Sequence, residues 1–121
     1  MSDPFFDSNI VIDWLNRIPQ AKRELSRYSR HRISRIAWTE ILAGEALENR
    51  DVVRGLIAPL EVVEIDARIA ATAADIRHRT RMKLMDAYIL ATAQVNGAIL
   101  VTRNTKDFPV NMPGIRVPYT L

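Results

Sequence analysis

Two abutting segments near the C-terminus constrain the fold more than anything else in this chain. Asp86–Asn96 is an alanine-rich stretch with helical character, and Gly97 stands where such a helix would end on a left-handed residue. Ala98-Ile99-Leu100-Val101 then follows with no polar interruption. A strand that is apolar on every residue has no face to offer water. It belongs in a sheet covered on both sides, as parallel strands are.

The rest of the chain supplies the covering helices and further strands. Pro4–Phe6 reads as a brief first strand, with the proline at its first position where a missing N–H is tolerated. Ile10, Val11, Trp14, Leu15 and Ile18 recur at helical spacing, which predicts a helix from Ser8 or Asn9. Pro19 suits the first turn of a second helix running to about Arg27. Arg32–Ala37 is expected as a strand, Trp38–Glu48 as a helix with Ile41, Leu42 and Leu47 on one face, and Asp51–Ile57 as a short helix ending near Pro59. Glu61–Ile65 is a strand by its β-branched content. Asp66 then caps a helix over Ala67–Arg79, whose Ile69, Ala73 and Ile76 form one stripe. Thr102–Asp107 is a turn, and a last short strand lies near Ile115–Val117. Strands alternating with helices predict an α/β chain: a three-layer sandwich whose central, mainly parallel sheet is flanked by helices.

Composition narrows the function. With 121 residues, an apolar fraction of 48% and a charged fraction of 26%, the chain has the make-up of one globular domain over 1–121. It contains no cysteine, which excludes a disulfide framework, a thiolate zinc site and a cysteine nucleophile together. The start lacks the basic and apolar regions of a secretory signal, and no apolar run approaches the ~18 residues of a membrane-spanning helix. A soluble cytoplasmic domain is therefore expected. The net charge is +3, and 14 of the 17 cations are arginine. Were four acids gathered in one site, 17 cations would face only ten acids elsewhere. Such a surface suits phosphate or nucleic acid, although an arginine preference alone would give the same count.

The acids fall in a pattern. In an open parallel sheet, ligands gather at the carboxyl ends of the strands. Asp7 directly follows the first strand, and Asp107 lies in the loop after the Ala98–Val101 strand. Glu40 is in the first turns of the helix after the Arg32–Ala37 strand, and Asp86 opens the helix before Ala98. All four are thereby brought toward one edge of the sheet. Each also has an ordinary reading: Asp7 and Asp86 as helix-start acids, Glu40 as a solvated helix residue, Asp107 as a turn former. Their joint placement favours an oxygen-only cage for a hard cation, Mg²⁺ or Mn²⁺. Such an ion assists attack on a phosphodiester.

The local sequences around these acids carry a resemblance. Phe6-Asp7-Ser8-Asn9, Ile36-Ala37-Trp38-Thr39-Glu40-Ile41-Leu42-Ala43-Gly44, Leu84-Met85-Asp86-Ala87-Tyr88-Ile89-Leu90-Ala91-Thr92-Ala93 and Leu100-Val101-Thr102-Arg103-Asn104-Thr105-Lys106-Asp107-Phe108 occur in that order. Together they resemble the PIN domain, and more narrowly the virulence-associated protein C (VapC) toxins of type II toxin–antitoxin pairs, over essentially the whole chain. The resemblance implies a PIN-like fold with Asp7, Glu40 and Asp86 as metal-binding catalytic acids and Asp107 as a more variable fourth. Asn104 stands where relatives carry another acid. Ser8 and Thr102 are implied as supporting hydroxyls with Asn104, and Arg103 and Lys106 as RNA-phosphate contacts. The implied activity is Mg²⁺- or Mn²⁺-dependent endoribonucleolytic cleavage, typically of structured RNA such as tRNA. A cognate antitoxin protein and a homodimer are implied as partners.

Other candidates read as structural. His31 and His78 are expected to be exposed, Trp14 and Trp38 to be core, and Asp13 to lie on the polar side of the first helix. The run Arg77–Lys83 reads equally as an RNA-backbone grip and as a solvated helix end. Two other functions remain open. A phospho-accepting receiver domain shares the acidic pocket and Mg²⁺ but needs a lysine after a late strand, where this chain has Arg103. An RNA-binding module without turnover would keep the shape alone.

Overall fold

The computed structural model describes residues 3–121. In chain order the elements are β1 (Phe5–Phe6), α1 (Ser8–Leu15), α2 (Pro19–Ser26), β2 (Arg32–Ser34), α3 (Arg35–Ala43), a 3₁₀ turn (Leu47–Asn49) and α4 (Arg50–Ile57). They continue with β3 (Glu61–Val63), α5 (Ala67–Thr80), α6 (Leu84–Val95), β4 (Leu100–Val101) and β5 (Ile115–Arg116). The strands form one sheet in the order β3-β2-β1-β4-β5, and each neighbouring pair is parallel.

Alternation along the strands decides the layers. Phe5 and Leu100, paired across β1 and β4, enter the core beneath α5 and α6 with Ile69, Ala73, Ile76, Ile89 and Leu90. Their neighbours Phe6 and Val101 point into a second core with Ile10, Val11, Ile33, Ala37, Ile41 and Ile57, from α1 to α4 and β2. Both faces of the central strands are therefore dry, as the apolar β4 sequence requires. Each fully buried Phe, Ile or Leu in these layers contributes about 2 kcal/mol. Gly97, at φ 64°, ends α6. The Ala98 N–H reaches the Ala93 carbonyl and the Gly97 N–H reaches that of Gln94, turning the chain directly into β4.

Several boundaries differ from expectation. The segment Arg32–Ala37 is strand only to Ser34, because the Ser34 hydroxyl accepts the Ala37 N–H and starts α3 three residues before Trp38. That helix stops at Ala43, so Leu47 lies in the 3₁₀ turn and is 75% exposed instead of sharing a face with Ile41. β3 stops at Val63, β5 at Arg116, and β4 is only Leu100–Val101, leaving Ile99 outside the covered sheet. Helix α6 begins at Leu84, so Asp86 sits in its first turn and does not cap it.

Candidate active site

Strand order reverses between β1 and β4: the chain runs outward from β1 through β2 to β3, then returns to β4 and β5 on the other side. The carboxyl ends of two adjacent strands with opposite onward paths leave a crevice. Asp7 follows β1 and Thr102 follows β4, and the Asp7 N–H bonds to the Val101 carbonyl at 2.9 Å, so the two side chains are neighbours across the switch point.

Asp7 is buried, 3% exposed, and neutral donors hold both its oxygens. Oδ1 accepts the Ser8 N–H at 2.8 Å. Oδ2 accepts the Thr102 hydroxyl at 2.7 Å and the Asn9 amide at 3.2 Å. The Ser8 hydroxyl donates to Glu40 Oε1 at 3.0 Å, which ties α1 to α3 through the two acids. Thr102 Oγ1 in turn accepts the Asn104 N–H, and the Asn104 amide donates to Asp107 Oδ2 at 2.8 Å. Asp107 closes the turn by donating its N–H to Asn104 Oδ1.

The electrostatics are one-sided. Burial raises Asp7, against the four hydrogen bonds it accepts. Burial also raises Glu40, which the charge of Asp7 pushes further. Asp86 is pushed up to about 6, first by burial and then by the charges of Asp107, Asp7 and Glu40. Asp107 departs from the others: hydrogen bonding from Asn104 and the nearby Lys83, whose Nζ lies 3.6 Å from Oδ1, hold it below the usual carboxylate range. Asp86 thus feels the charges of the other three acids, and Glu40 that of Asp7.

Among the described residues, however, no three His, Asp or Glu side chains converge closely enough to hold one ion as placed. The reason lies in their partners. Asp7 spends its oxygens on Ser8, Asn9 and Thr102, Glu40 leans on Ser8, and Asp107 is drawn toward Asn104 and Lys83. The donor set itself, carboxylates with hydroxyls and amides and no sulfur, fits a hard divalent cation. The raised carboxylates are the charge deficit such a cation would relieve.

The remaining candidates are placed as follows. Lys106 is exposed beside Asn104. Arg103 donates through Nε and Nη2 to Asp13 at 2.7 and 2.9 Å, so that edge of its guanidinium is turned into the fold and only Nη1 is left without a partner among the described residues. Asp13 is buried, not on the polar side of α1, and also accepts the Tyr119 hydroxyl at 2.8 Å. Its spacing of three from buried Ile10 was the available signal. Asn9, which accepts the Arg103 N–H while donating to Asp7 and Thr102, is a further organising residue of the site. His78 is exposed as expected. His31 is half-buried, with Nε2 2.6 Å from the Leu25 carbonyl and its ring edge-on to Phe6. Trp14 and Trp38 pack against the α1–α4 core, Trp38 beneath the Arg35 guanidinium.

Comparison with known proteins adds the following. The model of the PIN domain matches residues 5–110. A chain of a toxin–antitoxin complex from Klebsiella pneumoniae is 35% identical, with a TM-score of 0.90 over 98% of this chain and 100% of that one. A chain of DNA-bound VapBC from Salmonella typhimurium is 28% identical, with a TM-score of 0.79 over 96% of each. FitAcB from Neisseria gonorrhoeae, at 20% identity and a TM-score of 0.81 over 98% of this chain and 100% of that one, shares the fold. No curated protein sequence matches the chain.

Proposed function

This chain belongs to the PIN domain family, and from that premise we propose that it is a divalent-metal-dependent endoribonuclease acting as the toxin of a toxin–antitoxin pair. The observation that carries the reading is the crevice at the β1–β4 switch point. There Asp7 is raised by burial, and Glu40 and Asp86 by burial and by neighbouring acids, with no arginine among their hydrogen-bond partners. Asp7, Glu40 and Asp86 would hold Mg²⁺ or Mn²⁺, with Asp107 as a fourth ligand. When bound, the ion supplies Lewis acidity toward a phosphate oxygen and lowers the pKa of nearby water.

The chain's own residues do the positioning. Ser8, Asn9 and Thr102 fix both oxygens of Asp7, so that acid cannot rotate away as charge moves in the site. Ser8 holds Glu40 in register with Asp7. Asn104 holds Asp107 at the rim, where its position is set by the same hydroxyl, Thr102, that orients Asp7. An acidic centre set in an arginine-rich chain suits RNA as substrate, tRNA among the candidates. The named complexes of the similar chains support an antitoxin protein as partner, and we take a homodimer acting in the cytoplasm as the working form.

The test is cleavage of end-labelled total tRNA by the purified protein with Mg²⁺, with Mn²⁺ and with excess EDTA. Endonucleolytic products that need the metal and vanish in Asp86→Asn are expected. Products undiminished by EDTA, or by that substitution, would sink the mechanism.

A further inference from the structure

The turn between α5 and α6 holds Arg81 in the left-handed region, at φ 60°. A non-glycine residue there costs of order 1 kcal/mol and persists only where its surroundings insist on it. Here they do. Arg77 Nη1 donates to the carbonyls of Arg81 and Met82 at 2.8 and 2.9 Å, and Thr80 Oγ1 accepts the Met82 N–H. The Met82 side chain is sunk in the core beneath α5 and α6. Arg77 is thus used as a helix-end clamp, while Arg81 and Lys83 stay exposed on a rigid turn.

That turn forms one wall of a cleft of about 340 Å³ whose other wall is Lys106, Asp107 and Pro109. Lys106 also lines an adjoining cleft with Asn9 and Asn104, so the cationic rim continues to the edge of the acidic centre. Lys83 marks the junction, its ammonium beside Asp107 and 70% exposed. Arg103 also lines that adjoining cleft, but its Nε and Nη2 are bonded to Asp13, which leaves only Nη1 to face outward.

Three carboxylates with no paired cation repel the phosphates of any strand that approaches them. Approach is favoured only along an edge where positive charge offsets that field. We propose that Arg81, Lys83 and Lys106 form a phosphate cradle that grips the RNA backbone beside the scissile bond and sets the side from which the strand enters the crevice. The inference rests on the endoribonuclease reading and deepens it. Lysine ammoniums, mobile point charges, suit successive backbone phosphates without reading bases.

Binding is measured by fluorescence anisotropy with a short fluorescein-labelled single-stranded RNA of mixed sequence, in chelator so that no cleavage occurs, across a salt series. Lys83→Gln/Lys106→Gln is expected to raise Kd roughly tenfold and to flatten the slope of log K against log salt by about 1.4, the release expected from two lost phosphate contacts on a single strand. Lys22→Gln/Arg23→Gln, which removes the same charge from the exposed face of α2, is expected to change both far less. An unchanged Kd in the first pair, or an equal loss in the second, overturns the cradle. Cleavage assayed separately with Mg²⁺ keeps the two readings apart. Cleavage by wild type with RNA affinity intact in the first pair refutes the cradle alone. RNA affinity lost in the first pair, with no cleavage by wild type, refutes the nuclease and leaves the cradle as a binding site.

Discussion

Buried carboxylates occur in two regions of this molecule, and they are treated in opposite ways. Where α2 meets β5, Glu24 is 4% exposed and accepts Arg116 Nε at 2.8 Å, Arg116 Nη2 at 3.0 Å and the Tyr28 hydroxyl at 3.2 Å. Burial pushes Glu24 up, but Arg116 outweighs it and holds the group below the usual range. Asp13 has the same arrangement with Arg103 and Tyr119. At the switch-point crevice, Asp7, Glu40 and Asp86 receive hydroxyls and amides or nothing, and all three are raised. A chain with 14 arginines, two of them already folded against buried acids, has the means to neutralise those three. That they are left unneutralised is what the proposed divalent-cation site requires.

The largest test of that contrast removes one carboxylate from each region. Asp86→Asn is expected to lower RNA cleavage by about a thousandfold with the fold intact, since it deletes a proposed metal ligand and a repelled charge together. Its melting temperature should equal or exceed that of wild type. Glu24→Ala is expected to do the reverse. It strands the partly exposed Arg116 guanidinium and should cost about 2 kcal/mol, near 8 °C in melting temperature, with cleavage per folded molecule unchanged. Equal destabilisation by the two substitutions would erase the distinction between the regions.

Much of this contrast was legible in the sequence, though unevenly. The acids of the crevice were visible because Asp7 and Asp107 come after strands and Glu40 and Asp86 lie in the first turns of helices, and strand ends are where parallel sheets place their ligands. The β4 run and Gly97 revealed the layers, because a strand without polar residues permits only one setting. The pairing of Asp13 was not legible: its partners lie 90 and 106 residues away, in a loop and a terminal segment with no periodic signature. For the same reason Arg103 resembled a free cation. The early start of α3 was masked by Arg32-Ile33-Ser34-Arg35-Ile36, whose alternation suits a strand until the Ser34 hydroxyl caps the next helix.

The Asp13–Arg103 pair gives a smaller, mixed effect, because Arg103 is next to Thr102 and its N–H bonds to Asn9. Arg103→Lys keeps the charge but loses the two-armed grip. It is expected to cost about 1 kcal/mol. Cleavage should also fall severalfold, as Asn9 and Thr102 lose the anchor beside them. Unchanged cleavage at lowered stability would confine the pair to a structural role.

The smallest effect reads the two regions in one titration of the metal-free protein. A carboxyl whose folded pKa is raised binds more protons folded than unfolded, so stability falls as pH rises from the unfolded value through the folded one. For Asp86 that interval runs from 3.8 to about 6, with Asp7 and Glu40 shifted in the same direction. Glu24 has the opposite sign: its contribution is complete above the unfolded value of 4.5 and fades as pH drops through its lowered folded pKa. The two slopes balance in a stability maximum near pH 4, between the two unfolded values, and stability declines by about 1 kcal/mol from about pH 5 to 7.5 once solvent screening of the partly exposed Asp86 is allowed for. Mg²⁺ should recover that decline at about pH 7.5 and do little at about pH 5, where protons already occupy the crevice. Thermal melts at the two pH values, with and without Mg²⁺, check both signs. A metal-free protein that gains stability steadily from pH 5 to 7.5 would mean the crevice acids are as well neutralised as Glu24, and no cation would be wanted there.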